Sequence, residues 1–225
     1  MKKLNVLTLA AVTLFLTACG GKSSGETTTG EEQQVAEKQG EVYAVNLETS
    51  KVDWKAFHKG GFAPRWGTLA IKSGEVSVEG TELTAGDFVI DMNSLKVDPA
   101  SVTEKDKKYT DLEGHLKNAD FFDVEKNPTA DFKITKVAAL EAPAADAVEG
   151  ANKTVSGNLT LKGKALNVSF PAKVSVLDGT ATIQAKFTVN RADWDIKFGT
   201  SETDPAEWMI SKDIEIGIDV KATKK

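Results

Sequence analysis

From Val52 to Val220 apolar residues return at every second position, run after run, with turn chemistry between the runs, and that rhythm commits the chain to antiparallel β-sheet. Val52, Trp54 and Ala56 alternate with Lys51, Asp53 and Lys55, and Phe88, Ile90 and Met92 alternate with Asp87, Val89 and Asp91. The spacing recurs over 66–71, 75–79, 130–134, 155–161, 166–170, 174–176, 181–189 and 214–220, which predicts about nine strands, some of them merging. Lys72-Ser73-Gly74, Lys162-Gly163-Lys164 and Asp178-Gly179 read as tight turns. Strands joined so closely must stack as two sheets or close as a barrel, and periodicity does not choose. Two stretches break the rhythm. A helical composition over 101–108 and 111–119 predicts a helical insertion, whereas 138–152, rich in Ala, Glu and Asp, reads as a solvated loop.

The N-terminal region obeys different rules. Met1-Lys2-Lys3 precedes an apolar run, 4–16, too short to cross roughly 30 Å of hydrocarbon, so residues 1–18 read as a signal peptide. Leu16-Thr17-Ala18-Cys19 resembles a bacterial lipobox, and Cys19 is the one cysteine of the 225 residues. Acylation there is the expectation, holding the chain to a membrane of the cell envelope, the outer membrane facing periplasm or cell surface. Residues 19–41, dominated by Gly, Ser, Thr, Glu and Gln, read as a flexible tether. The folded domain is then 42–225.

Composition narrows the chemistry. A net charge of -5 disfavours a nucleic-acid partner, and a single cysteine forms no internal disulfide. With two histidines and no free thiol the sequence offers neither a nucleophilic triad nor a metal site, and no glycine-rich phosphate loop is present, so no catalytic residue and no cofactor is expected. His58 opens a basic loop with Lys59 and Arg65; it is either an exposed loop histidine or a donor to an anionic head group at a pocket mouth. His115 belongs to packing or capping of the short helix. Asp120/Asp123 and Asp193/Asp195 read as solvated or capping carboxylates. The apolar strand faces remain, mixing aromatic with small residues, and an eight-stranded barrel can either fill with such side chains or hold one ligand.

Three segments together resemble the YceI-like polyisoprenoid-binding proteins. They are the run from His115 through Phe121-Phe122 to Pro128 with Ala130-Asp131-Phe132, then Val155-Ser156-Gly157-Asn158-Leu159-Thr160-Leu161-Lys162-Gly163, then Phe187-Thr188-Val189-Asn190-Arg191-Ala192-Asp193-Trp194. The resemblance spans 45–220. It implies an all-β, lipocalin-like antiparallel β-barrel of about eight strands with a helical insertion, enclosing an elongated apolar cavity for an isoprenoid lipid of quinone or polyprenyl type, without catalysis. On that reading Trp54, Phe88, Ile90, Phe132, Leu159, Leu161, Phe187 and Ile216 line the cavity, and Arg191 and His58 are polar contacts at its entrance. Arg191 is alternatively a structural ion pair with Asp193 or another carboxylate. Leu112-Glu113 stands where the family often has Arg-Asp, and 138–152 is longer than usual. A solidly filled barrel acting as an envelope interaction module is the competing reading, an isoprenoid-modifying enzyme a third, and a homodimer is left open.

Overall fold

The computed structural model describes residues 27, 29–142, 147–201, 203, 205 and 209–225. The expected signal peptide and Cys19 lie outside the described residues. Ten strands and one α-helix follow in order: β1 (Thr29–Gly30), β2 (Glu41–Val45), β3 (Lys51–His58), β4 (Arg65–Glu79), β5 (Glu82–Val97), α1 (Tyr109–Lys117), β6 (Thr129–Ala139), β7 (Lys153–Leu161), β8 (Lys164–Leu177), β9 (Thr180–Asn190) and β10 (Ile210–Lys224). From β3 to β10 each strand pairs antiparallel with the next, and β10 returns to β3 with Ile216 opposite Trp54. That last pairing closes an eight-stranded barrel. It decides between barrel and sandwich, because a sandwich would leave β3 and β10 as separate edges.

Local chemistry explains most boundaries. Lys162 and Gly163, and Asp178 and Gly179, all take positive φ, the geometry of a two-residue hairpin turn whose twist matches its strands. Lys72-Ser73-Gly74 is not a turn: β4 runs through it, and a register shift between Ile71 and Ser73 bends the strand instead of ending it. Likewise 166–170 and 174–176 belong to one strand, β8, which changes partner from β7 to β9 around Ala172. The helical insertion is shorter than its composition suggests. Only Tyr109–Lys117 is α-helical, and 102–108 is irregular apart from its hydrogen-bonded turns.

The tether reading fails for the part of it that is described. Residues 29–40, with Thr27, form a strap against the outside of the barrel, and β2 continues it. The reason is that the barrel strands splay. β8 and β9 pair only over 172–177 and 180–185, and where they part β1 sets Thr29 opposite Val168 and Gly30 opposite Asn167, while the Thr27 N–H and hydroxyl both donate to Thr188 O. β5 and β6 pair only from Asp87 to Asp91, and beyond that seam the Ala36 N–H donates to Ile134 O and the Thr84 hydroxyl to Gln39 O. β2 fills a third seam, between β4 and β10. Strand edges left with unpaired backbone groups bind such a segment whatever its apolar content. Asn158, 2 % exposed on the outer face of β7, grips the strap by accepting from the Gln33 N–H and donating to Gln33 O.

Candidate functional site

The barrel interior is hollow in one half and filled in the other. A row of phenylalanines separates the two, crossing from β5 to β9: Phe88 to Phe132 at 6.4 Å between ring centres, Phe132 to Phe170 at 5.7 Å, and Phe170 to Phe187 stacked at 4.0 Å. Gly157 makes the row possible, since a Cβ there would lie 2.3 Å from the Phe132 ring. On the far side Val76, Val78, Ile134, Val155, Val174, Ile183 and Ala185 close on one another as an ordinary core.

On the near side lies a cavity of about 460 Å³, within the roughly 300–1,000 Å³ of small-ligand sites. Its walls are alternate residues of the strands: Val52, Trp54 and Ala56 of β3, Ile90 and Met92 of β5, Leu159 and Leu161 of β7, Phe187 and Val189 of β9, and Ile214, Ile216 and Ile218 of β10. Phe132 and Phe187 supply the floor. The Trp54 indole N–H donates to Lys96 O, so its apolar face is left to the cavity. Over the mouth sits α1 with Leu112, His115 and Leu116, followed by the double-phenylalanine turn, whose Phe122 lines the cavity and whose Phe121 is buried. Glu113 locks the helix down, its carboxylate accepting from the Val97 N–H at 2.9 Å. At the departure from the family pattern, then, the acid serves helix docking.

Of the ten residues expected at the cavity or its entrance, nine line it: Trp54, Ile90, Phe132, Leu159, Leu161, Phe187, Ile216, Arg191 and His58. Phe88 does not. Its ring lies beneath the floor against Phe132, because β5 enters the filled half at that point. Trp66, the register neighbour of Lys55, stands on the outer face.

Arg191 is the notable polar group. It is 2 % exposed, and its donors reach main-chain carbonyls: Nε to Ser211, Nη1 to Ile196, Nη2 to Phe198 and, at 3.3 Å, to Ile210. The Phe121 ring covers its face at 5.7 Å. Burial lowers its pKa to about 10, which leaves it charged at neutral pH. The alternative pairing with Asp193 is not what forms, since that carboxylate accepts the Thr29 hydroxyl of the strap. Arg191 thus ties both ends of the β9–β10 connection while placing a fixed cation in the cavity wall. His115 stands edge-on to Phe121 and Phe198 at 5.0 and 4.9 Å, with Nε2 3.2 Å from Asp120 Oδ2, so packing accounts for it. His58, Arg65, Lys107, Lys108, Asp106 and Asp111 surround the opening. No group of three or more His, Cys, Asp or Glu able to hold a metal ion occurs among the described residues.

Sequence reasoning missed the α1 lining residues, the Phe170 ring and the carbonyl cage of Arg191. The first two carry a legible signal, an apolar stripe at Leu112 and Leu116 and an alternating strand position; the cage carries none, since it is built of backbone.

Known proteins share this architecture. The crystal structure of BcnA from Burkholderia cenocepacia superimposes with a TM-score of 0.56 at 22% identity, covering 80% of this chain and 99% of that one. A domain from Saccharophagus degradans, described as polyisoprenoid binding and implicated in plant cell wall breakdown, does so with a TM-score of 0.54 at 15% identity, covering 85% and 100%. In sequence, a UPF0312 protein of Pseudomonas aeruginosa is 33% identical over 93 residues, 40% of this chain and only 44% of that protein's length. A UPF0312 protein of Pectobacterium atrosepticum is 28% identical over 151 residues, 62% of this chain and 70% of the relative. The family model described as a YceI-like domain matches residues 43–222, from within β2 to Ala222 of β10, where β10 first pairs with β2, and the chain belongs to that family.

Proposed function

We propose that this protein binds an isoprenoid lipid, of quinone or polyprenyl type, in the hollow half of its barrel, and stores or carries it without chemical change at the cell envelope, where Cys19 is acylated. The observation that carries the reading is the cavity itself: walls of Ile, Leu, Val and Trp, a floor of Phe132 and Phe187, and polar groups gathered at the mouth. Each five-carbon unit moved from water onto such walls gains on the order of 3 kcal/mol before the cost of ordering the chain is subtracted. The description of the Saccharophagus degradans domain as polyisoprenoid binding supports the same ligand class. Unfilled space of this size favours the carrier over a barrel packed solid for protein contacts alone.

Two measurements test the proposal. Mass spectrometry of an organic extract of native protein is expected to detect a prenyl lipid. Because Trp54 lines the cavity, an added quinone is expected to quench tryptophan fluorescence saturably, and Trp54→Phe to remove most of that quenching. Repeated absence of any prenyl lipid, together with no saturable quenching, would sink the assignment.

A further inference from the structure

Arg191 is a buried cation in the cavity wall with no counter-ion. Its pKa is lowered by burial and by nothing else, and the two acids that follow it in the chain are engaged elsewhere, Asp193 with the Thr29 hydroxyl and Asp195 with Lys164 and Lys197. The carbonyl cage supplies dipoles, not a charge. Nor does it use every donor. A guanidinium carries five N–H groups, and the bonds from Nε, from Nη1 to Ile196 O and from Nη2 to Phe198 O and Ile210 O account for four. One N–H of Nη1 has no acceptor among the described residues. Val189, Ile210 and Phe121 line the same apolar space. A formal charge held in such surroundings is costly, and its missing complement is an anion.

The charges around the opening limit how large that anion is. Arg65, Lys107, Lys108 and Arg191 line the cavity against Asp106 and Asp111, and Glu104, bonded to both Arg65 and Lys107, adds a third carboxylate. One positive charge is in excess. Arg65 also donates to Ser101 O. A diphosphate would bring more charge than this excess balances, past two carboxylates that repel it. We propose that the ligand head is a single carboxylate on an isoprenoid-type tail, paired with Arg191 inside the barrel while the tail lies toward Phe132 and Phe187. This rests on the carrier reading above and specifies its head group: the walls accept a neutral quinone, but only a monoanion completes the charge.

The test ranks geranylgeranoic acid, geranylgeraniol and geranylgeranyl diphosphate, which share one tail, by displacement of a bound quinone at neutral pH, read as recovery of tryptophan fluorescence. The acid is expected to bind at least about tenfold tighter than the alcohol, the share of one charge-assisted hydrogen bond, and tighter than the diphosphate. The preference should persist in about 0.5 M salt, because a buried pair is screened far less than one at the rim. Arg191→Lys should keep part of it and Arg191→Met reverse it. An ionised acid loses its hydration on entry, so without a receiving cation it binds more weakly than the alcohol. An acid no tighter than the alcohol, a diphosphate tighter than the acid, or a preference abolished by salt overturns the assignment, and these readouts on the unaltered protein decide even if Arg191→Met does not fold. If quinone itself does not quench, the carrier reading fails. If quinone quenches and the alcohol competes but the acid is not preferred, the head-group assignment alone fails.

Discussion

Arg191 shows how one side chain can organise a loop and a cavity together. Four carbonyls, two from the start of the β9–β10 connection and two from the start of β10, converge on its guanidinium. Methionine at this position would keep most of the volume and leave the carbonyls without donors, so Arg191→Met is expected to lose about 2–4 kcal/mol in urea denaturation. Arg191→Lys keeps the charge but not the fork, and an intermediate loss is expected. If Arg191→Met unfolds like the parent, the clamp is not a stabilising element. Gly157 makes a complementary case. Gly157→Ala puts a Cβ against the Phe132 ring and the Lys133 carbonyl, with an expected cost of about 1–3 kcal/mol, and Phe132→Leu in the same chain should recover part of it if crowding is the cause. At this scale the sequence was legible in unequal measure. Alternation put Trp54, Ile90 and Ile216 on the apolar faces of their strands and the family resemblance turned those faces toward a cavity, but the partners of Arg191 are backbone atoms of residues brought together by chain reversal, which no side-chain pattern encodes.

The strap is the element whose composition misleads most. Its residues bury little apolar surface, yet seams between splayed strands give its backbone partners, and Lys38 joins Glu75 and Asp87 at 2.7 and 2.8 Å. Asn158→Ala removes both bonds to Gln33 and the acceptor used by Asn167, so amide exchange at residues 29–40 is expected to rise well before that of the barrel strands. Acid should act at the other end of the strap. The hydrogen bond from Lys38, then that from Lys225, holds the Glu75 carboxyl at about 2 against an ordinary 4.5. A depressed carboxyl contributes stability above its unfolded value and loses it as pH falls through the folded one, so strap protection should decline between about pH 4.5 and 2. The groups are largely exposed, so the effect is small and weakened by salt. Unchanged exchange of 29–40 across that range would remove Glu75 from the account. Sequence could not expose these contacts, because the need for a strap arises from how far β8 parts from β9 and β5 from β6, a property of barrel curvature and not of the strap's own residues.

The whole molecule divides at the phenylalanine row, and the division is open to direct attack. Alternation alone allowed a sandwich, and closure rests on β10 meeting β3 across more than 150 residues of chain, a distance over which local patterns are silent. The same silence covers which half of the barrel is hollow, since both halves present alternating apolar residues. Enlarging side chains separates them. Leu161→Phe with Ile216→Phe grows into the cavity, so thermal stability should hold while saturable quinone quenching disappears. Ala185→Leu, buried at 2 % in the filled half, has no space to grow into and is expected to cost about 1–3 kcal/mol with quenching retained. Phe170→Ala removes the middle of the row. It should cost about 3–5 kcal/mol and join new space to the old, so a longer prenyl tail should gain affinity relative to a shorter one. If instead the two enlargements destabilise equally, the hollow half is packed in solution, and a lipid would have to open the barrel in order to enter it.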